Sequence, residues 1–232
     1  AWRTVCARGN PSSDAYRFLS AASNGAGGLS NGLAGEAWVG AAINLSVIGQ
    51  LGAAETAFKQ AVECYEKADR SHDAAWARIN YCAHVLSHRD AEQAIRILKE
   101  VADSTCDAKQ KYLALSDYAI LLATNGGVEE AMKVGEEVFA YRLQTSDPTL
   151  VGRAYVDLGE LYCTTGRFDA ARPLLMEGIR RLRDAGIQNM LLDQLINYVK
   201  SSMANHVEEC ERREAMLEEA KSIAERIGAR LK

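Results

Sequence analysis

The sequence predicts an all-α chain of stacked, antiparallel helical hairpins, and three observations predict it. First, an Asn or Asp recurs before Leu or Tyr, at Asn44-Leu45, Asn80-Tyr81, Asp117-Tyr118, Asp157-Leu158 and Asn197-Tyr198, in steps of 36, 37, 40 and 40 residues. Second, Ala57, Ala94, Ala131 and Ala171 recur in steps of 37, 37 and 40 residues. Third, the stretch Val151 to Gly186 reads as two helical segments hinged at Thr164-Thr165-Gly166. Tyr155, Leu158, Gly159 and Tyr162 fall at i, i+3, i+4 and i+7, and Phe168, Ala171, Leu175, Gly178 and Leu182 form a second stripe. Each stripe needs a partner surface, and the short hinge lets each serve the other. Independent columns sharing one period of this length mean an array of such hairpins.

In order along the chain, Ala1 to Gly9 reads as the tail of a helix, and Ser12 or Ser13 can cap a short helix through Ala22. Asn24 to Gly35 holds five glycines and is expected to be a mobile connection. It is not a phosphate cradle, because no Gly-Lys-Ser/Thr ending follows and no strand precedes it. The first hairpin is expected over Gly35–Gln50, turning at Leu51-Gly52, with a partner helix to Ala68. The second covers Asp73–Ser87 and Asp90–Asp103, turning at His88-Arg89 without the usual glycine. The third covers Ala108–Thr124 and Val128–Leu143, broken by Asn125-Gly126-Gly127.

The fourth hairpin starts where Asp147 can cap a helix with Pro148 in its first turn. Pro173 inside its second helix removes one backbone bond and should bend it slightly. The fifth covers Gln188–Ala204 and Val207–Gly228. In its last helix Val207, Cys210, Leu217, Ala220, Ile223, Ala224 and Ile227 make one apolar stripe under a charged face, as a terminal cap requires. The corresponding division is residues 1–35 as a partial helical segment with a Gly-rich connection, then an array over 36–232 in units 36–70, 71–107, 108–145, 146–186 and 187–232. The lack of an initiator Met and of an N-terminal cap suggests a fragment or an array continuing upstream.

Charge and composition exclude some classes. With 27 basic and 31 acidic residues the net charge is −4, against a general nucleic-acid binder. No apolar run reaches the length of a membrane span and no signal segment opens the chain, so no membrane partner and a cytoplasmic location are expected. Cys6, Cys64, Cys82, Cys106, Cys163 and Cys210 form no C-x-x-C pair and read as reduced thiols packed as small apolar residues. No nucleophilic triad is visible and no cofactor motif is found. His84 and His88 stand four apart but lack the H-E-x-x-H glutamate and a third ligand, so no metal site is read. The chain is expected to be no enzyme.

The order aromatic, Leu-Gly, aromatic, then Gly, Ala and a further small residue in 151–186 resembles a tetratricopeptide repeat (TPR). The resemblance implies a right-handed α-solenoid, about five repeats plus a partial N-terminal one, with the first helix of each pair lining a concave groove. With the Asn/Asp column as the sixth position of the unit, the inward set is Ile43, Asn44, Val47 and Gln50, then Trp76, Ile79, Asn80, Ala83 and Leu86. Leu113, Ser116, Asp117, Ile120 and Thr124 follow in the third unit. Arg153, Val156, Asp157, Glu160 and Thr164 come next, and Asp193, Ile196, Asn197 and Lys200 close the set. A carboxamide offers donor and acceptor together, so an Asn ladder could pair with an extended guest peptide, while apolar flanks take its side chains. The alternative for this column is that it only ties neighbouring helices together, above all at Asp117 and Asp157.

A clamp for an acidic C-terminal tail is disfavoured, since only Arg153 and Lys200 of this set are basic. The expected function is a protein–protein interaction module that binds a peptide or protein segment. The alternative is a sensor or regulatory arm of a multidomain signalling ATPase, and a helical enzyme is a third reading.

Overall fold

The computed structural model describes residues 30–204 and 210–227. The helical segments expected before Asn24, and Val207, lie outside them. Helices α1 (Asn31–Val47), α2 (Leu51–Lys67), α3 (Ser71–Tyr81), α4 (Ala91–Ser104) and α5 (Ala108–Thr124) come first. They are followed by α6 (Val128–Leu143), α7 (Pro148–Thr164), α8 (Phe168–Asp184), α9 (Gln188–Ala204) and α10 (Cys210–Ile227). The described residues contain no strand. The chain divides into two compact units, and the division falls within α5, between Leu121 and Leu122.

The turns are made by local chemistry. After α7, Gly166 takes φ +75°, its N–H donates to Cys163 O at 3.0 Å, and Arg167 N–H donates to Tyr162 O at 2.8 Å. That left-handed step is open to glycine and satisfies carbonyls the helix end would leave bare. Gly49, Gly126 and Gly186 close three other helices in the same way, and Asp69 holds the equivalent place after α2 with φ 54°. Asp147 accepts from Thr149 N–H at 2.9 Å, with Pro148 next to it in the first turn of α7.

The hairpin without a glycine is built differently. Beyond α3 the chain widens into a π-helical stretch, Cys82–Leu86, and ends in a last α-turn, Ser87–Arg89. Asp90 then caps α4, accepting from Gln93 N–H at 2.9 Å. Gln110, 3% exposed, donates its amide to His72 O at 2.8 Å and accepts from Thr105 Oγ1 at 2.8 Å, tying the start of α5 to α3.

In the first unit the core is made of small residues with a few rings: Ala41, Ala42, Ala54, Ala57, Phe58, Ala61, Tyr65, Ala77 and Cys82 are buried. Two sequence expectations change here. The connection expected over Asn24–Gly35 gives way to helix from Asn31, and Gly35 is buried where a Cβ would come within 2.8 Å of the Tyr65 ring. Its glycine serves close packing rather than freedom. The cysteines are also not alike: Cys82 is buried and Cys64 and Cys163 are partly so, but Cys106 and Cys210 are exposed. Burial, then the nearby Asp117, push the Cys82 thiol up to about 12. A maleimide therefore modifies Cys106 and Cys210 in the native protein and reaches Cys82 only in denaturant, as peptide mass mapping would show. Labelling of Cys82 at the rate of Cys106 would contradict this packing.

In the second unit α7 and α8 interlock through glycines. Gly152 faces Leu182, Gly159 faces Leu175, and Gly178 faces Val156. Val156, Leu175, Ile179, Leu182, Leu191, Leu195 and Tyr198 continue this core into α9, and Met216, Ala220, Ile223 and Ala224 of α10 complete it. Pro173 sits inside α8 without interrupting it. The buried stripe of α10 runs through Met216, whereas Leu217 is 47% exposed and Cys210 is exposed. Ala220, Ile223 and Ala224 are buried as the stripe requires, so the helix keeps its expected face and only its first turns differ.

Candidate functional site

Each unit carries a cavity lined by first helices of the hairpins. In the first unit it measures about 420 Å³, between α1 and α3. Val39, Gly40 and Ile43 come from α1, and Trp76 and Asn80 from α3. His84 enters from the π-helical stretch, the kind of local widening that often accompanies a functional site. One end is closed by charges: Arg70 bonds Glu36 at 3.0 Å and Asp73 at 2.7 Å while its guanidinium lies 5.2 Å over the Tyr65 ring. His84 stacks on Phe58 at 6.3 Å and approaches Ser46 Oγ at 3.5 Å. Burial, helped by His88, holds its pKa below the ordinary histidine value, so the ring is neutral at pH 7.

The cavity of the second unit measures about 530 Å³, between α7 and α9. Arg153, Val156, Asp157 and Glu160 line one side, and Asp193, Gln194, Asn197 and Lys200 the other. Asp157 is held by Arg153 at 3.3 Å and by Arg142, whose guanidinium reaches it from below at 2% residue exposure. Asn197 Nδ2 donates to Glu160 Oε1 at 3.2 Å. Burial first, then the neighbouring Asp157, raise the Glu160 pKa, and the bonds from Asn197 and Gln194 only partly offset them.

A carboxyl raised in the fold binds more protons there than in the unfolded chain, so its contribution weakens stability as pH rises through its folded value. Glu160→Gln is therefore more stable than the parent at pH 7, and the gap closes below pH 4.5, the ordinary carboxylate value. Urea unfolding at both pH values checks this, and equal stability at pH 7 contradicts it.

The sequence-expected groove residues separate into three sets. Trp76 and Asn80, with Ile43, line the first cavity; Arg153, Asp157 and Asn197 line the second. Asn44 and Ile79 are 3% and 2% exposed, so both lie beneath the surface instead of on it. Val47, 57% exposed, the exposed Ala83 and the partly exposed Leu113, Asp117 and Ile120 fall outside both cavities. The expected carboxamide ladder is also modified. Asn44 Nδ2 donates to Gly40 O and Asn80 Nδ2 to Trp76 O, each at 2.8 Å, so each carboxamide uses one of its two N–H donors on its own helix.

On α1 the expected Ile43 lines the cavity together with Glu36, Val39 and Gly40, which precede the expected set along the helix. Their i, i+3, i+4, i+7 spacing is legible in the sequence, inside the helix expected over Gly35–Gln50, but the expected inward set begins only at Ile43. Gln194 carried no signal, since it sits beside the repeat column. Among the described residues no three His, Cys, Asp or Glu side chains gather as a metal set, and no helix is long and apolar enough to cross a membrane.

Residues 151–185 match the family model for the tetratricopeptide repeat. The fold is similar to that of a Rap protein complexed with competence and sporulation factor, with TM-score 0.68 at 10% identity over 84% of this chain and 56% of that one. It is similar too to the Rap conjugation gene regulator of the plasmid pLS20 in complex with the Phr* peptide, with TM-score 0.68 at 13% identity over 91% and 57%. A Podosopora anserina putative kinesin light chain with nearly identical TPR-like repeats gives TM-score 0.56 at 17% identity over 83% and 95%. The chain thus spans little more than half the length of the Rap proteins. No curated protein sequence matches it.

Proposed function

We propose that this tetratricopeptide-repeat chain is a non-catalytic module that captures a peptide or an extended protein segment on the first helices of its hairpins. One observation carries the reading. Each unit, considered alone, opens a cavity between two first helices, and Trp76 and Asn80 in one hold the same register positions as Arg153 and Asp157 in the other. Cavities of this size suit side chains of an extended guest, the first with apolar walls at Val39, Ile43 and Trp76 and the second lined mostly by polar side chains. The two Rap structures, both in complex with a peptide or factor, support the same use of the fold.

In the first cavity Trp76 of α3 and Val39 and Ile43 of α1 supply apolar wall. Trp76→Ala combined with Asn80→Ala weakens guest capture at least about ten-fold, the size expected for a buried aromatic anchor, and leaves helicity by circular dichroism unchanged. Capture at parental strength by this variant would sink the first-unit cavity as a binding site. A second reading, the sensing arm of a longer regulator, is favoured by the chain's spanning 56% and 57% of the two Rap proteins. It is compatible with the first, because an arm that senses also binds.

A further inference from the structure

We propose that the cavity between α1 and α3 seats a tyrosine side chain of the guest, its ring against Val39, Ile43 and Trp76 and its hydroxyl between His84 Nε2 and the Asn80 amide. This rests on the peptide-capture reading and names the side chain that one of its cavities takes.

Three observations converge. First, the neighbours of His84 decide which of its nitrogens carries the proton. Ser46 Oγ gives its own proton to Ile43 O at 2.7 Å, so only its lone pairs are left to meet His84 Nδ1 at 3.5 Å. The ring is neutral at pH 7, and its single proton therefore belongs on Nδ1, facing those lone pairs. Nε2 is left as an acceptor and has no partner among the described residues. It is not sealed in the core either, so a guest in the cavity can reach it. Second, Asn80 stands four residues before His84, on the same face, and both line the cavity. Asn80 spends one amide N–H on Trp76 O and keeps the other. An acceptor and a donor side by side match a hydroxyl, which gives one hydrogen bond and takes another. Third, the wall at Val39, Ile43 and Trp76 is apolar, and about 420 Å³ is far more than a Ser or Thr side chain fills. A phenol joins the large apolar body to the hydroxyl. Phenylalanine would cover Nε2 without giving it a donor, and an indole has no oxygen to take the Asn80 N–H. A cation is not called for, because Arg70 already holds Glu36 and Asp73 at the end of the cavity. A carboxylate would set its lone pairs against those of Nε2.

The test uses the whole chain and an array of random hexapeptides, N-acetylated and C-amidated so that no terminal charge contributes. The bound set is expected to be enriched in Tyr at one position. Replacing that Tyr by Phe weakens binding about ten-fold, the size expected for one hydrogen bond in a closed site. His84→Phe keeps a ring on Phe58 and removes the acceptor, so the Tyr and Phe peptides then bind alike, with parental helicity by circular dichroism. A second reading needs no variant. In long-range proton–nitrogen spectra of the parent protein, the His84 Nε2 resonance shifts with the Tyr peptide and stays in place with the Phe peptide. Peptides bound without Tyr enrichment, a Tyr preference that survives in folded His84→Phe, or an Nε2 resonance that moves equally with both peptides overturns the subsite and leaves the capture reading standing. An array from which nothing binds overturns the capture reading and the subsite with it.

Discussion

Asp157→Ala lowers the stability of the second unit by about 3 kcal/mol, the cost of removing one partner from a buried ion pair. The carboxylate is 14% exposed and faces a guanidinium whose side chain is 3% exposed, with Arg153 on its outer side. Neither charge is in water, so their attraction is little screened, and the alanine leaves Arg142 desolvated without the carboxylate that offset it. Replacing both partners by apolar residues of similar volume, Arg142→Met with Asp157→Leu, is expected to restore most of the loss, because no buried charge then remains. Urea unfolding followed by circular dichroism reads both. A single variant within 1 kcal/mol of the parent means that the pair does not stabilise the fold. The same experiment separates two uses of the recurrent Asn/Asp column, since at this position it ties α7 to α6 and orders the floor of the cavity.

Gly178→Leu is the second large effect, about 3 kcal/mol or loss of the folded second unit altogether. A Cβ at this position would stand 2.7 Å from Val156 Cγ2, 3.1 Å from Val156 N and 3.2 Å from Gly152 O. Two of those neighbours are backbone atoms and cannot swing aside, so α8 would have to move off α7 and open the contacts of Leu175 and Leu182 as well. Gly52 is the control. Its Cβ would meet nothing within 4 Å, and Gly52→Ala in the first turn of α2 is expected to be neutral or stabilising by up to about 1 kcal/mol. Equal effects of the two substitutions would show that helix propensity, and not the crossing of α7 and α8, governs the cost.

The candidate site was legible to the extent that it is periodic. Arg153, Asp157 and Asn197 line their cavity where the repeat register puts them, and so do Trp76 and Asn80. Asn44 occupies the same column yet is buried, with its amide turned onto Gly40 O of its own helix. Which side of a helix faces a groove depends on its rotation about its own axis, and one residue turns it by about 100°. That rotation is set by neighbours distant in sequence.

Local physics therefore belongs to the sequence alone. The apolar stripes at 3.6-residue spacing, the turns at Gly126 and Gly166, the cap at Asp147 and the shared period were enough for an all-α array of hairpins. Each of those signals acts within one or two turns of chain. Only the tertiary structure decided that Met216 and not Leu217 enters the core, that α3 widens at Cys82–Leu86, that Arg142 is buried under Asp157, and that Gln194 keeps an acceptor without a donor. These depend on how helices far apart in the chain fill the space between them, where close packing leaves one arrangement and residue type does not reveal it beforehand.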